Sequence, residues 1–181
     1  YWDGNRKFGY GGYKYIPGRW ANVAKKLIKR YKLKSGSRVL DVGCGKGFLL
    51  YEMLKLQPGL IIHGFDISNY ALKRVKKNRN LKVFKHRAEK KFPYKKKSFD
   101  LVISLATLHN LKLFDLAYSI KEIERVGKKK YIMVESFKND KQLFNLQCWA
   151  LTCQTFLSVK EWTWLYKKMK YKGDYEFIFF N

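Results

Sequence analysis

Two acids, three alternating glycines and a histidine are the residues of this chain whose types and spacing could carry chemistry. "VLDVGCGKG", residues 39–47, ends a hydrophobic run on Asp41, and Gly43, Gly45 and Gly47 follow at every second position. Glycine has no Cβ, so such a loop can turn tightly and bring its backbone close to a small molecule. Asp66 closes a second apolar run, "LIIHGFD", 19 residues after Gly47. An acid in that place can accept both hydroxyls of a ribose. No GK[ST] follows a four-residue gap, which removes the P-loop. Asp41 would sit badly beside a pyrophosphate, and an acid just before the glycines suits a cationic ligand better. His109, just past a fourth apolar run, and Glu135, at the end of a fifth, are candidates for proton transfer. A buried structural histidine and a solvent-facing glutamate are the plain alternatives.

The elements that must position these residues alternate. Val23, Leu27 and Tyr31 recur at helical spacing between Trp20 and Lys32, and "SGS" at 35–37 breaks that helix. "RVLDV" reads as a buried strand, "FLLYEMLKL" (48–56) as a helix stopped by Pro58 and Gly59, and 60–66 as a second strand. The pattern predicts a helix over 68–78 with Ser68 as its cap. Strands follow at 81–86 and 98–105, a helix at 114–126, a strand at 130–137, a helix from Ser158 to Lys170 and a strand at 175–180. Apolar strands alternating with helices mark a mostly parallel sheet covered on both faces. His63, inside a strand, reads as core.

The 181 residues, 46% of them hydrophobic, fit one domain spanning 1–181. Within it, 1–20 reads as a lid or loop, 21–136 as the ligand-binding core and 137–181 as a substrate-side segment. No apolar run approaches the ~20 residues of a membrane helix, and "YWDGNRKFGYGGYKY" is not a signal peptide. A cytoplasmic location follows by default. Cys44, Cys148 and Cys153 form no metal-ligand pattern with the three histidines; Cys148 and Cys153, five apart, are expected to pack. The net charge of +25 could serve a polyanion. Lys outnumbers Arg 31 to 8 and is scattered, whereas a dedicated nucleic-acid surface would use more of the planar guanidinium. The charge is read as background that favours anionic ligands.

On these residues the chain resembles the class I S-adenosylmethionine-dependent methyltransferases. "VLDVGCGKG" is similar to their first motif, "GFDIS" to their second, and "FDLVIS" followed by "LHN" to their fourth; the resemblance spans residues 36 to 136. It implies a Rossmann-like, doubly wound, mostly parallel sheet of six or seven strands in three α/β/α layers, and S-adenosyl-L-methionine as cofactor. It implies Asp41, Gly43, Cys44 and Gly45 around the methionine part, Asp66 and Ile67 at the ribose, Ala88 and Glu89 at the adenine, and Ser104 and Leu105 near the sulfonium. His109 becomes the candidate base and Glu135 a pocket acid. Tyr10, Tyr13, Arg19 and Trp20 could form a lid, with Arg19 reaching the cofactor carboxylate, or an aromatic cluster on the sheet. Asn145, Cys148 and Trp149 are placed at the acceptor, while Trp162 and Trp164 pack the last helix. Two departures stand out. His86, Arg87 and Ala88 replace the Gly-Asp-Ala common at the adenine. Only one strand is visible after Trp164, where relatives usually have two.

The expected activity is methyl transfer to a small-molecule, anionic acceptor by a monomer or homodimer without a membrane partner. The alternatives are an RNA or protein methyltransferase using the lysine surface, and a non-catalytic cofactor-binding subunit. "SLAT" rather than an NPPY-like tetrad follows Ile103, which argues against the base-amine methylases.

Overall fold

The computed structural model describes residues 2–5, 7 and 13–181. Its strands are β1 (Arg38–Val42), β2 (Ile61–Asp66), β3 (Leu81–Lys85), β4 (Phe99–Leu105), β5 (Gly127–Glu135) and β6 (Asp174–Ile178). They form one sheet in the order β3-β2-β1-β4-β5-β6, and every neighbouring pair is parallel. Strand order reverses between β1 and β4, so the crevice that opens there lies above the carboxyl ends of those two strands. Residues 140–149 are helical, and the sheet has six strands among the described residues.

Alternation along each strand sends side chains to two cores. Val39, Ile62, Leu101, Ile103 and Tyr131 meet α1 (Ala21–Tyr31) and α2 (Phe48–Leu56) on one face, through Ala24, Leu27, Leu50 and Met53. Leu40, Val42, Val102, Ile132 and Val134 meet α4 (Leu113–Val126) and α6 (Val159–Lys168) on the other, through Leu116, Ile120, Ile123, Trp162 and Leu165. Helical ends follow local chemistry. Lys32, left-handed at φ 52°, closes α1, and Ser158 with Glu161 forms a capping box on α6. The last strand is tied to the first helix: Asp174 Oδ2 accepts from the Tyr31 hydroxyl at 2.6 Å and from Arg30 Nε at 3.0 Å.

Three expectations need correction. The helix at 68–78 is a single turn, α3 (Asn69–Leu72); beyond it Lys73, Arg74, Lys76 and Lys77 put like charges one turn apart with no acid within the segment. A helix the periodicity did not reveal, α5 (Asp140–Trp149), is capped by the Asn139 side chain and buries only Leu146. It ends before Cys153, and Cys148 is exposed, so the two thiols do not pack as a helical pair. Trp162 is fully buried, but Trp164 faces solvent. His63 is half-buried, its Nδ1 2.9 Å from the Tyr94 hydroxyl. No helix among the described residues is long and apolar enough to cross a membrane.

Candidate functional site

The glycine loop is held by the end of β2. Gly43 and Cys44 donate their N–H groups to the Phe65 carbonyl at 2.9 and 3.0 Å. Gly45 donates to Asp66 Oδ2 at 2.9 Å, and Ser68 N–H to Oδ1 at 2.8 Å. Gly43, Gly45 and Gly47 are all left-handed, at φ 83°, 53° and 68°, a conformation that costs other residues. Their surroundings differ. A Cβ on Gly43 would lie 2.2 Å from Thr107 Oγ1, whereas one on Gly45 would lie 2.9 Å from the Trp2 indole. Gly43 therefore clears space for the chain's own Thr107, a constraint that spacing alone does not reveal. The bare face of Gly45 is turned to the Trp2 ring.

Asp41 is buried and has no hydrogen-bond partner among the described residues. Burial, and then the neighbouring Asp66, push its pKa up to about 8. Burial also raises Asp66, against the backbone N–H groups that favour its ionised form. A buried acid that takes no hydrogen bond from the described residues and stands beside a second acid is a seat for a cation, and this is the local chemistry an S-adenosyl-L-methionine ammonium or sulfonium requires. The residues present therefore fit the expected cofactor.

Across the crevice, β4 ends in a strained turn. Ser104 is fully buried and spends its hydroxyl on the Val42 carbonyl at 3.0 Å. Ala106, after Leu105, is left-handed at φ 51° without being glycine. Thr107 Oγ1 then reaches the Leu105 and Gly43 carbonyls at 3.0 and 3.3 Å, joining this turn to the glycine loop. The turn continues as a 3₁₀ segment, Leu108–Asn110, which delivers His109 to Glu135 at the end of β5. His109 Nδ1 lies 2.5 Å from Glu135 Oε2, and both residues are buried. The contact has ion-pair distance, but its direction falls outside hydrogen-bond geometry. Gln154 and Thr155 N–H groups both cap the His109 carbonyl at 3.0 Å, tying the 3₁₀ segment to the stretch after Trp149.

The remaining expected residues lie around these two loops. Ile67 is exposed and Ala88 buried. Glu89 pairs with Arg87. Tyr13 stacks on Phe48 with ring centres 5.2 Å apart; burial raises its phenol, Arg19 opposing and Asp41 adding to the shift. Arg19 is exposed and Trp20 half-buried. Tyr10 lies outside the described residues. Asn145, Cys148 and Trp149 line a hollow of about 580 Å³ with Phe144, Phe179 and Phe180. Sequence reasoning missed Thr107, Lys46, Trp2 and Asp3. Lys46 could have been noticed as the lone cation inside the glycine run; the others have no pattern to betray them.

Comparison with known proteins was made against this geometry. A family described as "Methyltransferase domain" matches residues 33–178. The chain is 34% identical over 113 residues to ribosomal RNA small subunit methyltransferase C of Buchnera aphidicola, covering 60% of this chain and 32% of that protein. It is 32% identical over 121 residues to an uncharacterized protein of Methanocaldococcus jannaschii, covering 67% and 45%. The chain thus spans a third to a half of the length of these curated relatives. The fold is also similar to that of a Haemonchus contortus phosphoethanolamine N-methyltransferase, solved with phosphomonomethylethanolamine and S-adenosylhomocysteine. That match has a TM-score of 0.66 at 22% identity and covers 88% of this chain and 38% of that one.

Two outcomes follow from the glycine loop and its acids. Gly43→Ala should destabilise the protein by about 2–3 kcal/mol, from a strained backbone and the collision with Thr107, read as a lower urea midpoint. Asp41, with its pKa near 8, is mostly protonated at pH 7 and must ionise when a cation arrives. Binding of S-adenosyl-L-methionine at pH 7 should therefore release about one proton, and affinity should strengthen as pH rises toward 8. Calorimetry in buffers of different ionisation heat measures this, and Asp41→Asn should abolish the release. In the unliganded protein the sign is opposite: the raised carboxylate removes stability as pH climbs from the ordinary carboxylate range toward 8.

Proposed function

The chain belongs to the methyltransferase-domain family, and we propose that it is an S-adenosyl-L-methionine-dependent methyltransferase that acts on a small anionic acceptor whose attacking atom carries a proton. The observation that carries this reading is the buried His109–Glu135 pair, 2.5 Å apart, from the 3₁₀ segment after β4 and the end of β5. It stands across the strand-order reversal from Asp41. The bound cofactor supplies an electrophilic methyl group. The chain's own residues supply alignment, which is worth roughly 7–11 kcal/mol at best, and a place for one proton.

In this reading Asp41 and the Gly45 backbone seat the methionine part, and Arg19 takes its carboxylate. Asp66 receives the ribose hydroxyls on oxygens already oriented by Gly45 and Ser68. Ile67 and Ala88 flank the adenine, with Glu89 at its edge. Leu105 and Ser104 offer backbone beneath the sulfonium. Glu135, against His109 Nδ1, favours the tautomer with its proton on that nitrogen. Nε2 is then free to take the acceptor's proton. A pair this deeply buried suits a compact acceptor that can enter the crevice. The lysine-rich surface would draw an anionic one toward it, and the phosphoethanolamine enzyme with the same fold holds a phosphorylated amine.

An RNA acceptor is the second reading, and one observation favours it. Between Asp66 and Glu89 there are eight Lys or Arg residues and no acid. Five of them, Lys73, Lys76, Lys77, Arg79 and Lys82, line a hollow of about 830 Å³ beside the edge strand β3. The similarity to a ribosomal RNA methyltransferase, over a third of that protein, points the same way.

One experiment separates the two. Isotopically labelled S-adenosyl-L-methionine incubated with a metabolite extract and, in parallel, with total RNA should label a small molecule; label in RNA, with binding that falls steeply as salt rises, would select the second. His109→Ala should lower turnover by about a hundredfold while cofactor affinity changes less than about twofold. Glu135→Gln should lower turnover less and move its pH profile. Wild-type turnover in His109→Ala would remove the base assignment.

A further inference from the structure

Trp2 and Asp3 stand against the glycine loop at Gly45 and Lys46. The Trp2 indole stands where a Cβ on Gly45 would come within 2.9 Å of it, and two further ring atoms lie within 3.7 Å. Trp2 also packs on Tyr13, ring centres 5.4 Å apart, and its carbonyl accepts the Tyr13 N–H at 2.9 Å. The next residue is the anchor. Asp3 receives Lys46 Nζ on both oxygens, at 2.8 and 2.9 Å, and also accepts from the Tyr70 hydroxyl. Arg74 Nε stands 4.0 Å away. Lys46 is itself buried, with its third contact to the Tyr13 carbonyl at 2.8 Å. These partners hold the Asp3 carboxyl down to about 2, so the anchor stays charged at any physiological pH.

This is an unusual use of a lysine from the glycine run. Lys46 leaves the loop to grip a carboxylate 43 residues earlier in the chain. Tyr70 and Arg74 come from the segment after Asp66, so the anchor draws on both loops of the cradle. We propose that Trp2 and Asp3 form an internal stopper: the indole fills the approach to Gly45, the Asp3–Lys46 pair holds it there, and cofactor and stopper exclude one another. The inference rests on reading the glycine loop as the cofactor cradle. A lid that merely covers bound cofactor would leave the Gly45 face open; here that face carries the ring.

Mutual exclusion has a quantitative signature. Apparent affinity is the intrinsic affinity reduced by the fraction of molecules in which the cradle is open. If the stopper is seated about nine-tenths of the time, removing it strengthens binding by about tenfold. S-adenosylhomocysteine is titrated by calorimetry into the full chain, Asp3→Asn and Trp2→Ala, with association rates from stopped-flow fluorescence. Both variants should bind about three- to tenfold tighter and associate faster, and both should keep the fold as judged by circular dichroism. In the wild type, binding should move the Trp2 emission toward that of an exposed indole, a change absent from Trp2→Ala. Unchanged or weaker binding in the variants overturns the stopper and makes the segment a cover or a bystander. No binding by any of the three proteins overturns the cradle reading itself, and the stopper with it.

Discussion

The site depends on one hydrogen-bonded junction, in which the end of β2 takes the backbone of the glycine loop. Two N–H groups go to the Phe65 carbonyl and a third to the Asp66 carboxylate. That junction fixes the turn after β1 and holds the buried Asp41 near Asp66. Bringing two acids together in a buried place is unfavourable. The backbone donors on Asp66 offset part of the penalty by favouring its ionised form, which leaves Asp41 as the member that resists ionisation. The asymmetry gives the site an acid ready to ionise when a cation binds. The opposite wall is locked by the same economy of backbone bonds: Ser104 grips Val42, and Thr107 spans Leu105 and Gly43.

Much of the architecture is legible from pattern. Apolar runs of strand length and the stripes Leu27–Tyr31 and Leu116–Ile120–Ile123 reveal their elements because one face of each must be buried. The failures have physical causes. Helix α5 buries only Leu146, so it has no stripe to detect, and its existence rests on the Asn139 cap. The first residues of β5, Lys128–Lys130, do not look like a strand until Asp100 and Glu124 are seen neutralising Lys128 and Lys130. The helix after Ser68 stops early because its cations lack local acids. In each case the missing information is a contact between residues far apart in sequence.

The site divides along the same line. Asp41, Gly45 and Asp66 are visible from spacing because a tight turn and a strand-end acid have few substitutes. His109 and Glu135 are visible only as candidates; that they meet is a consequence of β4 and β5 being neighbours, and of the strained Ala106 turn that redirects the chain. Gly43 carries a constraint that spacing does not show: a Cβ there would collide with Thr107, 64 residues away.

The tie between Tyr31, Arg30 and Asp174 bears on how the chain acquires its shape. These partners are 143 and 144 residues apart, and the central strand β1 pairs with segments that are synthesised after it. Parallel pairing across such separations costs chain entropy before it returns any contact energy, which slows folding. The edge of β5 stays unpaired until β6 exists, and the first helix waits for Asp174 to complete its polar partners. A ribosome-bound chain lacking its last segment is therefore an open-edged intermediate, the state in which a sheet of this kind is most exposed to association with other chains.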